Sequence, residues 1–135
     1  MVVRVPVRGY YNEISYFYID EGTNHGFLID PGSQADRLLS IVPLDADPAF
    51  ALDVIYAPGH TTDSVVYYSP KDRVACVGDT IFKGSIGIWD CPGGNLADLQ
   101  RSILEKIFTR PEDTALYSGH SVPTTGGEEK RRYGL

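Results

Sequence analysis

Long apolar runs and an excess of positive charge are both absent from this sequence of 135 residues. No segment approaches the roughly 18 consecutive apolar residues of a membrane-spanning helix, so no membrane partner is expected. The formal net charge of −6 at pH 7 disfavours a nucleic-acid partner, because binding to phosphates requires a basic surface. The segment from Met1 to Val7 lacks the basic start and apolar block of a signal peptide, which predicts a cytoplasmic protein.

Cysteine and histidine are scarce, with two and three residues. Cys76 lies inside an apolar run and is expected to be a small buried residue, whereas Cys91 lies in a loop rich in Gly and Pro. A cytoplasmic location favours free thiols over a disulfide. His25 falls in a turn sequence and is expected to be an ordinary exposed turn residue, which leaves His60 and His120 as the histidines available for chemistry.

The remaining composition, 42% hydrophobic and 22% charged, is ordinary for a globular protein. Asn95 is predicted to cap an amphipathic helix with one apolar stripe, Leu96, Leu99, Ile103 and Ile107. The overall pattern predicts a single domain of the mixed α/β (α+β) class, with mostly antiparallel sheets and flanking helices. The predicted strands cover residues 2–7, 14–19, 27–29, 51–56, 65–69, 73–77 and 114–117, and the predicted helices cover 34–41, 96–108 and 128–133.

Two histidines and one aspartate each stand two to four residues after a predicted strand. His60 lies in the sequence Pro-Gly-His-Thr, Asp79 follows 19 residues later in Gly-Asp-Thr, and His120 follows after another 41 residues in Ser-Gly-His-Ser. Pro and Gly make the turn before His60 rigid, and loops at strand ends are common positions for functional side chains. The spacing suggests that His60, Asp79 and His120 converge on one point.

These motifs resemble those of the metallo-β-lactamase superfamily and, within it, the glyoxalase II-like (hydroxyacylglutathione hydrolase-like) hydrolases. Three further segments match in order and context: Ile-Asp-Pro-Gly at 29–32, Gly-Ser-Ile-Gly at 84–87 and Pro-Gly-Gly at 92–94. The resemblance covers most of the chain. It implies an αββα sandwich of two sheets with flanking helices, which holds two metal ions at its edge.

One motif of the family, H-x-H-x-D-H, is absent. In the family it lies between the segment equivalent to 29–32 and the strand before the Pro-Gly-His loop, but here residues 43–50 lead directly to that strand and contain no histidine. The resemblance therefore implies one truncated domain, residues 1–135, without the segment normally found between about 42 and 50. The full ligand set of two metals cannot be assembled from one subunit.

Three ligand positions remain by resemblance. His60 matches a ligand of the first metal, Asp79 matches the catalytic carboxylate that bridges both metals, and His120 matches a ligand of the second metal. Imidazole and carboxylate groups suit zinc, iron or manganese, and such an ion activates water for attack on a thioester or ester. At most one ion per chain is expected, or none. A structural role also explains these residues: His60 bonded inside a rigid turn, and Asp79 bracing the following turn.

The C-terminal pattern of the family is kept at Thr124-Thr125 and at 129–131, and implies that Lys130 and Arg131 anchor the acidic end of a substrate. A solvated terminal helix explains the same residues. At 88–89 the polar pair of the family is replaced by Ile88 and Trp89.

Three hypotheses of function remain open. The first is a metal-dependent hydrolase of the glyoxalase II type, with a residual metal site and weak or absent thioester or ester hydrolysis. The second is a catalytically inactive, dimeric binding protein that keeps only the fold. The third is a chain whose absent ligands come from a partner carrying H-x-H-x-D-H. Loss of that block exposes apolar faces and sheet edges, so a homodimer is expected, with contact surfaces at 10–18 and 86–89.

Overall fold

The computed structural model describes residues 2–6, 14–20, 25–29 and 52–135, which belong to two compact units, 1–51 and 52–135. The first unit contains an antiparallel sheet of three strands, in the order β1 (Val2–Pro6), β2 (Ile14–Asp20) and β3 (His25–Ile29). β2 is the central strand, as its aromatic and β-branched residues favour. The predicted pairing of 14–19 with 27–29 is confirmed, but the prediction of His25 as a turn residue is wrong, because His25 begins β3 opposite Asp20. The predicted helix at 34–41 and the segment 43–50 lie outside the described residues.

The second unit is built on a five-stranded sheet in the order β10-β9-β6-β5-β4. Neighbouring strands are antiparallel, except that β6 and β9 run parallel and pair Gly78 with Ser118. The ends of β6 and β9 therefore lie at the same edge of the sheet as the loop between β4 and β5. The strands are β4 (Asp53–Tyr56), β5 (Val65–Ser69), β6 (Val74–Gly78), β9 (Ala115–Ser118) and β10 (Thr124–Thr125).

A short hairpin follows β6 directly. It consists of β7 (Ile81–Phe82) and β8 (Ser85–Ile86), which pair Ile81 with Ile86 and Phe82 with Ser85. The sequence pattern predicts a loop over most of this segment, because two residues per strand are too few to show alternation. Ile81 is fully buried, so the hairpin is anchored in the core despite its length.

Helix α1 (Leu96–Ser102) covers one face of the five-stranded sheet and continues as a π-helical turn, Ile103–Ile107. The predicted cap is confirmed, since the Asn95 side chain accepts a hydrogen bond of 3.0 Å from the Asp98 amide. Three residues of the predicted apolar stripe pack into the core and Leu96 is only partly buried. The core of the second unit consists of Ala57, Val66, Tyr68, Ala75, Val77, Ile81, Leu99, Ile103, Ile107, Phe108 and Leu116.

The C-terminal helix α2 (Gly126–Arg132) is capped by Thr125, whose hydroxyl accepts from the Glu128 amide. The Phe108 and Tyr133 rings lie 6.3 Å apart. Burial raises the pKa of Tyr133 above its ordinary 10.0, and the charge of Glu129 raises it further. None of the helices in the described residues is long and apolar enough to cross a membrane. Cys76 is buried, Cys91 is exposed, and no disulfide joins them, as predicted.

Candidate metal centre

The loop that carries His60 is held in shape by its own small polar residues. The Ala57 amide donates to the Ser64 carbonyl at 2.9 Å, which closes the loop at its base. The Thr61 and Ser64 hydroxyls lie 2.7 Å apart, and the Thr61 hydroxyl also donates to Asp63 at 2.8 Å. These hydrogen bonds fix the backbone conformation of the loop around His60.

The structure brings together the three side chains that the sequence singles out. Asp79 Oδ2 lies 3.1 Å from His120 Nε2 and 3.7 Å from His60 Nε2. The side chains of His60 and Asp79 are 24% and 23% exposed and that of His120 is 38% exposed, so the cluster is open to solvent on one side. Convergence follows from the topology, because the loop after β4 and the ends of β6 and β9 share one edge of the sheet.

The imidazole of His60 is oriented from outside the cluster. Its Nδ1 lies 2.9 Å from the carbonyl oxygen of Ile88, and a carbonyl can only accept a hydrogen bond. The proton of the neutral ring is therefore assigned to Nδ1, which leaves the lone pair of Nε2 directed toward Asp79. Histidines that bind metals use this arrangement, in which one ring nitrogen donates to a carbonyl and the other is the ligand.

Two glycines allow the close approach of backbone to the cluster. A Cβ atom at Gly119 would overlap Asp79 Oδ1, and a Cβ atom at Gly87 would overlap the Asp79 carbonyl oxygen and lie 3.6 Å from His60 Nδ1. Gly119 and Gly87 therefore have a steric role. A larger residue at 119 would displace the carboxylate of Asp79, and a larger residue at 87 would displace its backbone.

His120 is held by the residues on either side of it. Its ring meets the Phe82 ring edge-on, with centroids 6.2 Å apart and an angle of 66°. The Ser118 and Ser121 hydroxyls lie 2.8 Å apart, and the Ser121 hydroxyl accepts from the Lys83 amide at 3.3 Å. The two serines flanking Gly119-His120 therefore brace the loop and connect it to the β7–β8 hairpin.

Imidazole and carboxylate donors suit a divalent metal ion in type, and each His–Asp pair is spaced as two ligands of one ion would be. Two ligands at 2.0–2.1 Å from a tetrahedral zinc ion are about 3.3 Å apart, and the separations of 3.1 and 3.7 Å lie on either side of that value. Across 52–135 and the three described strands of the first unit, however, no group of three His, Cys, Asp or Glu side chains is arranged to hold an ion by itself. The cluster is two His–Asp pairs that share one oxygen, so it fits a metal as an incomplete ligand set.

Lys130 and Arg131 both contact the same carboxylate. Lys130 Nζ lies 3.9 Å from Glu112 Oε1, and Arg131 Nη1 lies 3.5 Å from Glu112 Oε2. All three side chains are at least partly exposed, and such surface pairs are weak and readily exchanged for another anion. The role of Lys130 and Arg131 in binding a substrate stays a prediction.

Two groups that bond to the cluster or to the hairpin beside it do not stand out in the sequence. One is the Ile88 carbonyl, because a backbone oxygen carries no sequence signal. The other is Glu129, which is 0% exposed and bonds to the β7–β8 turn through the Gly84 amide at 3.0 Å. Gly126 and Gly127 precede it in the first turn of α2 and are buried with it, and this glycine pair is the available signal for a closely packed helix.

Comparison with known proteins is consistent with this arrangement. The model of the metallo-beta-lactamase superfamily matches residues 36–120. An uncharacterized protein of Aquifex aeolicus is 44% identical over 77 residues, 57% of this chain and 36% of its own length. A probable metallo-hydrolase of Bacillus subtilis is 43% identical over 75 residues, 56% of this chain and 36% of its own length.

A third relative, a hydroxyacylglutathione hydrolase of Haemophilus influenzae, is 35% identical over 82 residues, 61% of this chain and 39% of its own length. The matched part thus spans less than half the length of each of these three relatives.

Solved structures with the same fold include the B3 metallo-beta-lactamase BLEG-1, with a TM-score of 0.85, 22% identity and 97% coverage of both chains. ETHE1 from Myxococcus xanthus has a TM-score of 0.80 and 22% identity, with 98% of this chain and 82% of that chain covered. A third neighbour, crystallised in a di-iron-bound form, has a TM-score of 0.79 and 21% identity, with 96% and 98% covered. At these identities the likeness is one of fold, and it confirms the predicted fold class.

Proposed function

Because the chain belongs to the metallo-beta-lactamase superfamily, we propose that it is a metal-dependent, hydrolase-like protein with a residual metal site. His60, Asp79 and His120 hold at most one divalent ion, which is zinc, iron or manganese. Hydrolysis of a thioester or ester is weak or absent, since the H-x-H-x-D-H ligands are not in the sequence.

The observation that carries this proposal is the position of Asp79 Oδ2, 3.1 and 3.7 Å from two imidazole nitrogens. The Ile88 carbonyl keeps the proton of His60 on Nδ1 and so keeps Nε2 available as a ligand. Phe82 orients the His120 ring, and Asp79 supplies the negative charge. A bound divalent ion supplies Lewis-acid activation of water and of a substrate carbonyl.

The substrate class comes from the names of two relatives, a probable metallo-hydrolase and a hydroxyacylglutathione hydrolase. A thioester or ester with an acidic end suits the cationic side chains of Lys130 and Arg131, which by resemblance to the family anchor that end. For such a substrate to bind, its carboxylate would exchange with Glu112, which both cations now contact.

The decisive experiment measures bound metal per chain by mass spectrometry, on protein purified without chelator and after reconstitution with zinc, iron or manganese. About one ion per chain is expected, and none in His60→Ala or Asp79→Ala, since each removes one of the three ligands. Asp113→Ala is the control, because Asp113 is an exposed aspartate that pairs with Arg73 ahead of β9, at the opposite end of that strand from His120. Absence of metal from the wild-type protein after reconstitution would refute the proposal.

A second function, an inactive dimeric binding protein, is favoured by the exposed apolar residues of the second unit. Val54 and Tyr56 on β4 are 64% and 60% exposed, and Ile88 and Trp89 in the loop after β8 are 56% and 41% exposed. Surfaces of this kind commonly mark an interface. This alternative predicts no bound metal and no hydrolysis that depends on His60.

A further inference from the structure

The turn of the β7–β8 hairpin is fastened to a carboxylate that lies 45 residues away in the sequence. The Gly84 amide donates to Glu129 Oε2 at 3.0 Å, and Arg132 Nε lies 3.3 Å from the same oxygen. The other oxygen, Oε1, accepts from the Thr124 hydroxyl at 2.6 Å. Glu129 is 0% exposed, and these protein groups satisfy both of its oxygens.

A buried carboxylate is a poor means of stabilising a fold. The loss of hydration offsets much of the attraction to its partners, and an apolar residue of the same size is often equally stabilising. A charged group with several donors does, however, specify one geometry, because each oxygen must meet its partner. The position of Glu129 therefore points to a role in orientation rather than in stability.

The hairpin that Glu129 fastens touches all three residues of the metal centre. Asp79 lies two residues before its first arm, and the Gly87 amide, which directly follows the second arm, donates to the Thr80 carbonyl at 3.4 Å. The next residue, Ile88, accepts the hydrogen bond from His60.

The third contact is on the first arm, where Phe82 lies edge-on to the His120 ring. A shift of the hairpin turn would therefore be transmitted to Asp79, to the partner of His60 and to the support of His120.

We propose that Glu129 is a positioning residue for the metal centre, which acts through the β7–β8 hairpin. This proposal rests on the proposed function in one respect only, namely that the centre binds a metal. Its role is to hold the Gly84 turn so that the Ile88 carbonyl stays within hydrogen-bonding distance of His60 Nδ1 and Asp79 stays between the two imidazoles.

The test compares Glu129→Met, which removes both acceptors at similar side-chain volume, with Glu129→Gln, which keeps one oxygen for the Gly84 amide. Glu128→Met is the matched control, because Glu128 is the exposed neighbouring glutamate, whose Oε2 lies 2.9 Å from the Thr124 hydroxyl but which has no bond to the Gly84 turn. Two quantities are measured on each protein: the zinc dissociation constant, by competition with a chromophoric chelator, and the tautomer of His60, from ¹⁵N spectra of the imidazole at fixed pH without metal.

We expect Glu129→Met to weaken zinc binding by about tenfold or more, the effect typical of residues that orient metal ligands, and to redistribute the His60 proton between Nδ1 and Nε2. Glu129→Gln should restore most of both properties, and Glu128→Met should match the wild type. A Glu129→Met protein with wild-type zinc affinity and His60 tautomer would overturn the proposal.

Two further measurements distinguish failure of the proposed function from failure of the proposal for Glu129. If the wild-type protein binds no zinc, the proposed function fails, while the His60 tautomer still decides the role of Glu129. If Glu129→Met does not fold, Thr124→Val takes its place, since without the donor to Oε1 the carboxylate can rotate and draw Oε2 away from the Gly84 amide. An unchanged His60 tautomer in Thr124→Val would then refute the proposal.

Discussion

Single atoms decide the geometry of the metal centre. Asp79 Oδ2 faces both imidazoles, and its neighbour Oδ1 occupies the space that a side chain at Gly119 would fill. The absence of a Cβ atom at residue 119 is thus part of the site. Since the atom in conflict would be the end of a side chain rather than backbone, the conflict is cheap to relieve by moving Asp79.

The substitution Gly119→Ala should therefore separate binding from stability. The new methyl group would push the Asp79 carboxylate away, so metal affinity should fall at least about tenfold, while the free energy of unfolding should change by less than about 1 kcal/mol. Metal titration and urea unfolding measure the two quantities. Gly126→Ala is the control, because its Cβ atom would have no neighbour closer than 3.8 Å. Equal metal affinities in the two variants would contradict the prediction.

A second prediction at this scale concerns two buried threonines. Thr114 Oγ1 is the one buried side-chain polar atom without a hydrogen-bond partner in the described residues, whereas Thr124 donates to Glu129. Thr114→Val should raise the free energy of unfolding by about 1 kcal/mol, because it removes an unsatisfied hydroxyl. Thr124→Val should lower it by about 2 kcal/mol, because it strands a buried carboxylate oxygen. Chemical denaturation of both variants tests this, and changes of the same sign would refute it.

At the scale of elements, the loop before β5 packs directly against helix α1. The Asn95 amide donates to the Gly59 carbonyl at 2.8 Å, and the Ser102 hydroxyl donates to the Pro58 carbonyl at 2.7 Å. A Cβ atom at Gly59 would overlap the backbone of Leu99, and the φ of Gly59 is +138°. The loop that presents His60 is thus positioned by direct contact with the helix.

The effect of Gly59→Ala should be large, because backbone atoms on both sides would have to separate. We expect a loss of about 3 kcal/mol in the free energy of unfolding, measured by urea denaturation. Gly78→Ala measures the cost of a positive φ without a steric overlap, since Gly78 has a φ of +52° and open space around its Cβ position. It should lower the free energy of unfolding by about 1 kcal/mol. A Gly59→Ala protein no less stable than Gly78→Ala would show that α1 does not pack against the loop as described.

At the scale of the whole molecule, β4 is the last strand of its sheet within the described residues. Ile55 packs against the core of the second unit, and the neighbouring Val54 and Tyr56 point to the opposite face, 64% and 60% exposed. An apolar strand at the edge of a sheet is a site for pairing with another chain.

The homodimer inferred from the sequence is therefore a prediction that this face can test. The wild-type protein should have the mass of a dimer by light scattering, and Val54→Lys should weaken the dimer by about tenfold or more, because a charge on the paired strand is costly to bury. Val122→Lys, at a valine 54% exposed in a loop, is the control. A monomeric wild-type protein, or equal masses for both variants, would refute this interface. Trp89→Lys tests the predicted contact at 86–89 in the same way.

The sequence by itself determined the features that depend on neighbours a few residues apart. Alternation and turn residues predicted the longer strands of both units, although not the two-residue strands β7, β8 and β10, and Asn95 predicted the helix cap that is observed. The motifs around His60, Asp79 and His120 predicted their convergence and the superfamily. These signals are local, because strand alternation, helix capping and turn conformations are set by adjacent side chains.

Only the tertiary structure decided how distant residues serve the site. The parallel pairing of β6 with β9 brings Asp79 to His120, and the Ile88 carbonyl sets the tautomer of His60 from 28 residues away. Glu129 reads as part of a solvated terminal helix, yet it is fully buried against the Gly84 turn. Such contacts depend on which surfaces pack together, and no local pattern encodes a partner that lies in another element.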